Sequence, residues 1–341
     1  GWTFGWLRGV AVHAIADTAA LGEPMALIGE DLAVRGDVSG PAPGSRGAVL
    51  VPATTESNLI VFRYRLQAVR MYAAEDSFTA EGHSYPAGTV IVPLAEAGRD
   101  GERTVRAAVE SLGLTGVAVR DVPAVRRHEL ATPRIGLVHS WLNTQNEGWV
   151  RYVLDHFAIP YTYFSTQRLQ DSVFLAKFDV LLLPQVGGNA RTIVNGLPMT
   201  GPPIPWKRTA ETPNLGAYDS TDDVRPGIGL LGMASLQKWI AAGGVLLTEG
   251  ATAAVPVDFG LAPGVNIVDA RALRVRGSVL RAVIKDRLSP IVYGYADTTA
   301  VYFDQAPLFR VDSADARGTE RERDSSVVSE TRRLQPRVVL R

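Results

Sequence analysis

From Arg134 onward the chain carries short apolar runs that do not alternate with polar residues: "RIGLV", "YTYFS", "FDVLLLPQV" and "VLLTE". A strand with one face in water alternates, whereas a strand covered on both faces reads as a continuous apolar run. Between the runs lie "EGWVRYVLDHF" and "MASLQKWIAAGG", spaced as helices, the second ending on a glycine pair that stops it. Buried strands separated by helices require a mostly parallel sheet between two helix layers, which sets the class as α/β.

The first 125 residues suggest a smaller α/β domain. "AVLVPA" (48–53), "AGTVIVP" (87–93) and "GVAVR" (116–120) are strand-like, and a helix is expected from about Glu56 to Ala68. A second helix, "ERTVRAAVESLG" (102–113), places Val105, Ala108, Val109 and Leu112 on one face and ends at Gly113 as a C-cap does. Residues 121–133, with two prolines and mixed charge, read as a linker. The second domain then spans 134–311 as a flavodoxin-like three-layer sandwich. It is interrupted at 195–232 by a proline- and glycine-rich stretch far longer than ordinary connections, a length that suits a lid or an interaction loop. Later strands are expected at "NIVDA", "PIVYGY", "AVYFD" and "PLFRV". Residues 312–334 read as a mobile charged insertion, and 335–341 as a final strand.

At 341 residues and 46% hydrophobic content the chain can supply two cores. Lys and Arg together equal Asp and Glu at 35 each, so no net field favours nucleic acid or an anionic surface. No apolar run reaches the roughly 18 residues of a membrane span. The opening "GWTFGWLRGV" has neither an initiator Met nor a signal pattern, and it reads as cut from something longer. The absence of cysteine removes disulfides, thiolate zinc sites and a cysteine nucleophile.

Ligands of open α/β sheets bind beyond the carboxyl ends of the strands. There lies "LVHSWLNTQNEGW" (137–149), which brings His139, Trp141, Gln145, Glu147 and Trp149 behind a strand and into a helix start. The indole faces and amide dipoles suit binding, and the neighbouring loop adds Trp206 and Arg208, the latter able to meet a carboxylate such as a peptide C-terminus. After "VLLT" comes Glu249, at the turn where an amidotransferase-like fold carries its nucleophile. No cysteine stands there and no histidine follows, the last being His156. None of the five histidines has a carboxylate three residues on or a second histidine four residues on, so no zinc-hydrolase spacing is present. Asp219, Asp222 and Asp223 are close enough in sequence for calcium but lack the glycine and terminal glutamate of an EF-hand, and Asp223 with Arg225 reads more simply as a loop-ordering ion pair. Walker, G-x-S-x-G and G-x-G-x-x-G motifs are missing.

Several long stretches together, "HSWLNTQNEGWVRYVLDHFAIPY", "FDVLLLPQVGG", the 195–232 segment, "LQKWIAAGGVLLT" and "SPIVYGYADTTAVYFDQAPLFRV", resemble the region downstream of the catalytic domain in long bacterial zinc carboxypeptidases, the carboxypeptidase A-like metallopeptidases. "GWTFGWLRGV" resembles the exit of that catalytic domain, and residues 62–92 resemble the small unit that follows it. The resemblance implies a class I glutamine amidotransferase-like second domain and a secreted or periplasmic parent whose zinc and general base lie upstream. No position here matches that zinc motif, so no catalytic or metal residue carries over and no cofactor is expected in this chain. The expected function is a non-catalytic accessory portion, partnered with the upstream peptidase domain and able to bind peptide. The alternative is a self-sufficient hydrolase built on His139 with Glu147 or Glu249.

Overall fold

The computed structural model describes residues 5, 12–29, 34–42, 44, 46–269, 271–275, 277–303, 307–312 and 336–341. Most of the expected insertion at 312–334 therefore lies outside the described residues, as does most of the aromatic opening stretch. The chain divides into two compact units: Gly1–Thr132 with Val279–Tyr302 and Val338–Arg341, and Pro133–Ser278 with Phe303–Arg337. The division at 132/133 falls within the expected linker, but Val279–Tyr302 groups with the first unit instead of belonging to one span 134–311.

The first unit is built on a six-stranded mixed sheet. Its strands are β1 (Asp37–Ser39), β2 (Ala48–Val51), β3 (Tyr72–Ala74), β6 (Val90–Pro93), β7 (Thr115–Val119) and β8 (Arg127–Glu129), in the order β1-β7-β2-β6-β3-β8. Only β1 with β7 is parallel, and the other neighbours are antiparallel. Strand alternation divides β2 between two cores. Val49 and Val51 meet Phe62, Val105 and Val109 from helices α1 (Asn58–Arg65) and α2 (Gly101–Ser111), whereas Ala48 and Leu50 meet Tyr85 and Ile91 on the other face. A hairpin of β4 (Phe78–Ala80) and β5 (His83–Tyr85) covers that second face, with Phe78 stacked on Tyr85 at 5.2 Å. Gly113 ends α2 with φ +68°, and Leu114 N–H reaches back to the Val109 carbonyl in the six-to-one bond of a glycine C-cap.

Two sequence expectations change here. The linker at 121–133 contributes β8, which pairs with β3. Its residues are polar because an edge strand faces water, and Arg126 and His128 meet Asp76 and Glu75 across it. "PIVYGY" is no strand: Pro290 starts a 3-10 turn at Pro290–Val292, and Gly294 follows at φ +81°.

The second unit centres on a four-stranded, wholly parallel sheet of β9 (Ile135–His139), β10 (Tyr161–Ser165), β11 (Val180–Leu183) and β12 (Val245–Thr248), ordered β10-β9-β11-β12. Asp179 sets the base of the β9–β11 pair by accepting both the guanidinium and the backbone N–H of Arg134. Those bonds, the side-chain one foremost, hold its carboxyl down to about 2. Helices α3 (Gln145–His156), α4 (Ser172–Leu175), α5 (Ala190–Asn195), α6 (Gly229–Ala241) and α7 (Ala254–Asp258) complete the unit. Val138, Phe164, Leu181 and Leu183 form a core with Ile193 of α5 and with Met233, Leu236 and Trp239 of α6. The Trp239 indole N–H is spent on the Phe178 carbonyl at 3.1 Å. The opposite sheet face takes the inward side of α3, from Glu147 to Leu154.

Short ribbons finish the chain. β13 (Val265–Val268) pairs antiparallel with β16 (Leu308–Val311), and β14 (Ser278–Val283) lies beside β15 (Thr298–Phe303). The expected final strand is reduced to a bridge between Leu340 and Ile284, with two backbone bonds joining Val283 and Arg341. Among the described residues no helix is long and apolar enough to cross a membrane.

A Cβ on Gly136 would stand 2.7 Å from Leu181 and 2.8 Å from Phe164, whereas one on Gly148 in α3 would meet nothing within 4 Å. Gly136→Ala should therefore lower stability by about 1–3 kcal/mol through overpacking. Gly148→Ala should raise it by about 0.5–1 kcal/mol through helix propensity. Chemical denaturation of the two variants measures both.

Candidate functional site at the end of the parallel sheet

The parallel register decides which side chains meet. Ile135, Leu137 and His139 share one face of β9, and their partners across the pair are Tyr161, Tyr163 and Ser165. His139 ends its strand against Tyr163, the two rings stacked at 4.4 Å and 13°. Trp141, two residues further, approaches the imidazole edge-on at 4.7 Å. Helix α3 lays Glu147 over the same place, where its Oε1 accepts the Tyr163 hydroxyl at 2.7 Å. One turn on, the Arg151 guanidinium stands 4.5 Å from the Tyr163 ring centroid and 4.3 Å from that of Tyr218.

The long loop closes the site. Asp219 Oδ2 accepts His139 Nε2 at 2.8 Å and the Ser165 backbone N–H at 2.9 Å, while Oδ1 takes Ser220 N–H. Burial would raise the Asp219 carboxyl, but the His139 bond and the two backbone donors outweigh it, so it sits below the ordinary carboxylate range. Burial, followed by the bond to Glu147, pushes the Tyr163 phenol well above its usual value and keeps it a donor. The loop orders itself by local bonds: Trp206 and Thr221 exchange backbone hydrogen bonds, and Gln167 holds the Asp223 and Pro226 carbonyls. The buried Arg225 guanidinium joins Asp223 to the Thr200 and Gly201 carbonyls, the ion pair read from the sequence.

Among the described residues five buried side-chain polar atoms lack a hydrogen-bond partner, and four surround Tyr163: His139 Nδ1, Trp141 Nε1, Glu147 Oε2 and Arg151 Nε. Such atoms cost about 1–3 kcal/mol each unless a water or a ligand meets them.

Of the residues expected in this site, His139, Trp141, Glu147 and Trp206 come together, the two indoles 6.4 Å apart. Trp149 lies on the outward side of α3, 66% exposed and edge-on to Tyr152. Gln145 is exposed in the first turn of α3, and Arg208 is exposed on the loop. Glu249 is not with His139: β11 separates their strands, which puts them about 10 Å apart by interstrand spacing alone. Glu249 is also exposed and its side chain caps the following 3-10 turn, so it lacks the burial that acid catalysis would need. The three aspartates take separate partners, Asp219 with His139, Asp222 with Lys207 and Asp223 with Arg225. Among the described residues no group of three or more His, Asp or Glu is placed to hold a metal ion.

Arg151, Tyr163, Tyr218 and Asp219 complete the site without having been assigned to it from sequence. Arg151 follows Glu147 by four residues on one helix, a spacing that was readable. Asp219 arrives from 80 residues away, which no local pattern encodes.

Because the Asp219 carboxyl lies below its ordinary value of about 3.9, its stabilisation of the loop is complete above that pH and is lost as pH falls through the lower, folded value. The Ser165 amide resonance should hold steady down to about pH 4 and shift below it. Asp219→Asn should abolish that inflection, and Asp219→Ala should cost about 1–3 kcal/mol by leaving Ser165 N–H unpaired.

Comparison with protein-family models, with curated proteins and with solved structures finds no match to this chain.

Proposed function

We propose that this chain is a non-catalytic accessory portion of a zinc carboxypeptidase-like protein, the family its sequence resembles, and that its second unit is a binding module. The strand order, with the first strand of the unit flanked by the second and third, supports a flavodoxin-like reading of that unit. The observation that carries the binding role is the set of four unpartnered polar atoms around Tyr163. Trp141 Nε1 and Arg151 Nε are donors, and Glu147 Oε2 is an acceptor. That pairing complements a molecule offering both a carboxylate or carbonyl oxygen and an N–H, as a peptide terminus does. Trp206, 44% exposed beside Trp141, supplies an apolar wall at the solvent side.

The partners already on the ring speak against catalysis by His139. Nε2 is held by Asp219, and Trp141 and Tyr163 pack on the imidazole, so it is committed to protein contacts. A base must reach the proton that it takes from substrate. In this account the imidazole fastens the loop to the sheet end, and proteolysis belongs to a zinc domain upstream.

Calorimetric titration with unblocked trialanine tests the binding role. Glu147→Gln and Trp141→Ala should each weaken binding by about tenfold or more, the range for a hydrogen bond to a charged group. Affinity unchanged in both variants would overturn the reading. Peptide turnover by this chain alone, lost in His139→Gln, would favour the hydrolase instead.

A further inference from the structure

A cavity of about 640 Å³ opens in the same unit at the carboxyl ends of β11 and β12, lined by Gly188, Asn189 and Ala251 from the loops that follow them. It shares no residue with the cage around Tyr163. The volume lies within the range of small-molecule sites, and the position is the one where open α/β sheets place ligands. Its floor is apolar: Ala190 and Ala254 of α5 and α7, Ile267 of β13, Leu273 and Leu308.

The charges on the lining select the ligand. Asp269 and Arg271 neutralise each other at 2.5 Å. Asp258 and Arg274 also line the cavity, and neither side chain has an ion pair or hydrogen bond to any described residue. One unpaired carboxylate and one unpaired guanidinium over an apolar floor complement a molecule with one ammonium, one carboxylate and an apolar body. We propose that this cavity binds a zwitterion with apolar side chains, an apolar amino acid or short peptide with both termini free. Arg274 takes the carboxylate in a two-pronged hydrogen bond, Asp258 takes the ammonium, and the side chains cover Ile267 and Leu308.

The test is calorimetric titration of the whole chain with leucyl-leucine, with its N-acetylated form and with its C-terminal amide. Saturable binding of the free dipeptide is expected, weakened about tenfold or more by either blocking group. Arg274→Gln should weaken the free dipeptide but leave the amide unaffected, and Asp258→Asn should do the same for the free and N-acetylated forms. Both side chains are exposed, so the fold tolerates the changes. Trp141→Ala, which removes a donor from the cage around Tyr163, should leave a saturable binding step that still responds to Arg274→Gln and to Asp258→Asn. Equal affinity for blocked and free dipeptide, no saturable heat, or loss of binding in Trp141→Ala with both charge variants unaffected would each overturn the assignment, the last by placing the dipeptide in the cage around Tyr163.

Discussion

The hydrogen bond between Asp219 and His139 is the contact on which the sheet end depends. It joins a loop of more than thirty residues, roughly 195–232, to the last residue of β9. The same carboxylate oxygen secures the Ser165 amide at the end of β10. One side chain thus satisfies donors from two neighbouring strand ends that would otherwise be buried and unpaired. The aromatic enclosure follows from it: His139 held in one orientation supports Tyr163 by stacking and Trp141 by an edge contact. Tyr163 in turn orients Glu147.

That arrangement separates two roles a buried histidine can take. A histidine fixed by a carboxylate resembles the orienting pair of a hydrolase, in which the free nitrogen faces a nucleophile. Here the free Nδ1 is enclosed, and no hydroxyl is recorded against it among the described residues. The remaining unpartnered atoms are donors and an acceptor without a reactive group between them. Such a set is what the proposed binding role rests on.

The periodic elements were legible in the sequence because apolar runs mark parallel strands in composition, although β12 is not covered on both faces and leaves Val245 and Leu247 more than half exposed. "YTYFS" and "VLLT" are strands, and "ERTVRAAVESLG" is the helix whose Gly113 adopts the left-handed conformation expected of its end. The pattern failed where polarity and edge position coincide. Arg127–Glu129 looked like a linker because an edge strand with cross-strand ion pairs has no apolar signature. "PIVYGY" has strand composition, but Pro290 has no N–H to give a ladder. The site was half legible. His139, Trp141 and Glu147 lie within nine residues of each other, while Tyr163 depends on the register of β10 and Asp219 on the path of the loop. Glu249 was suggested by its place at a strand end, but strand order, which local pattern does not encode, puts it two strands from His139.

Histidine-selective acylation at neutral pH, read residue by residue by mass spectrometry, reports whether the His139 imidazole is accessible. His13, His83 and His156 are exposed, whereas His139 is sealed beneath Asp219, Trp141 and Tyr163. The three exposed rings should label rapidly and His139 should be protected, with protection lost in Asp219→Ala. Labelling of His139 in the unaltered chain as fast as His156 would show an accessible imidazole and contradict the assignment of the ring to fastening the loop.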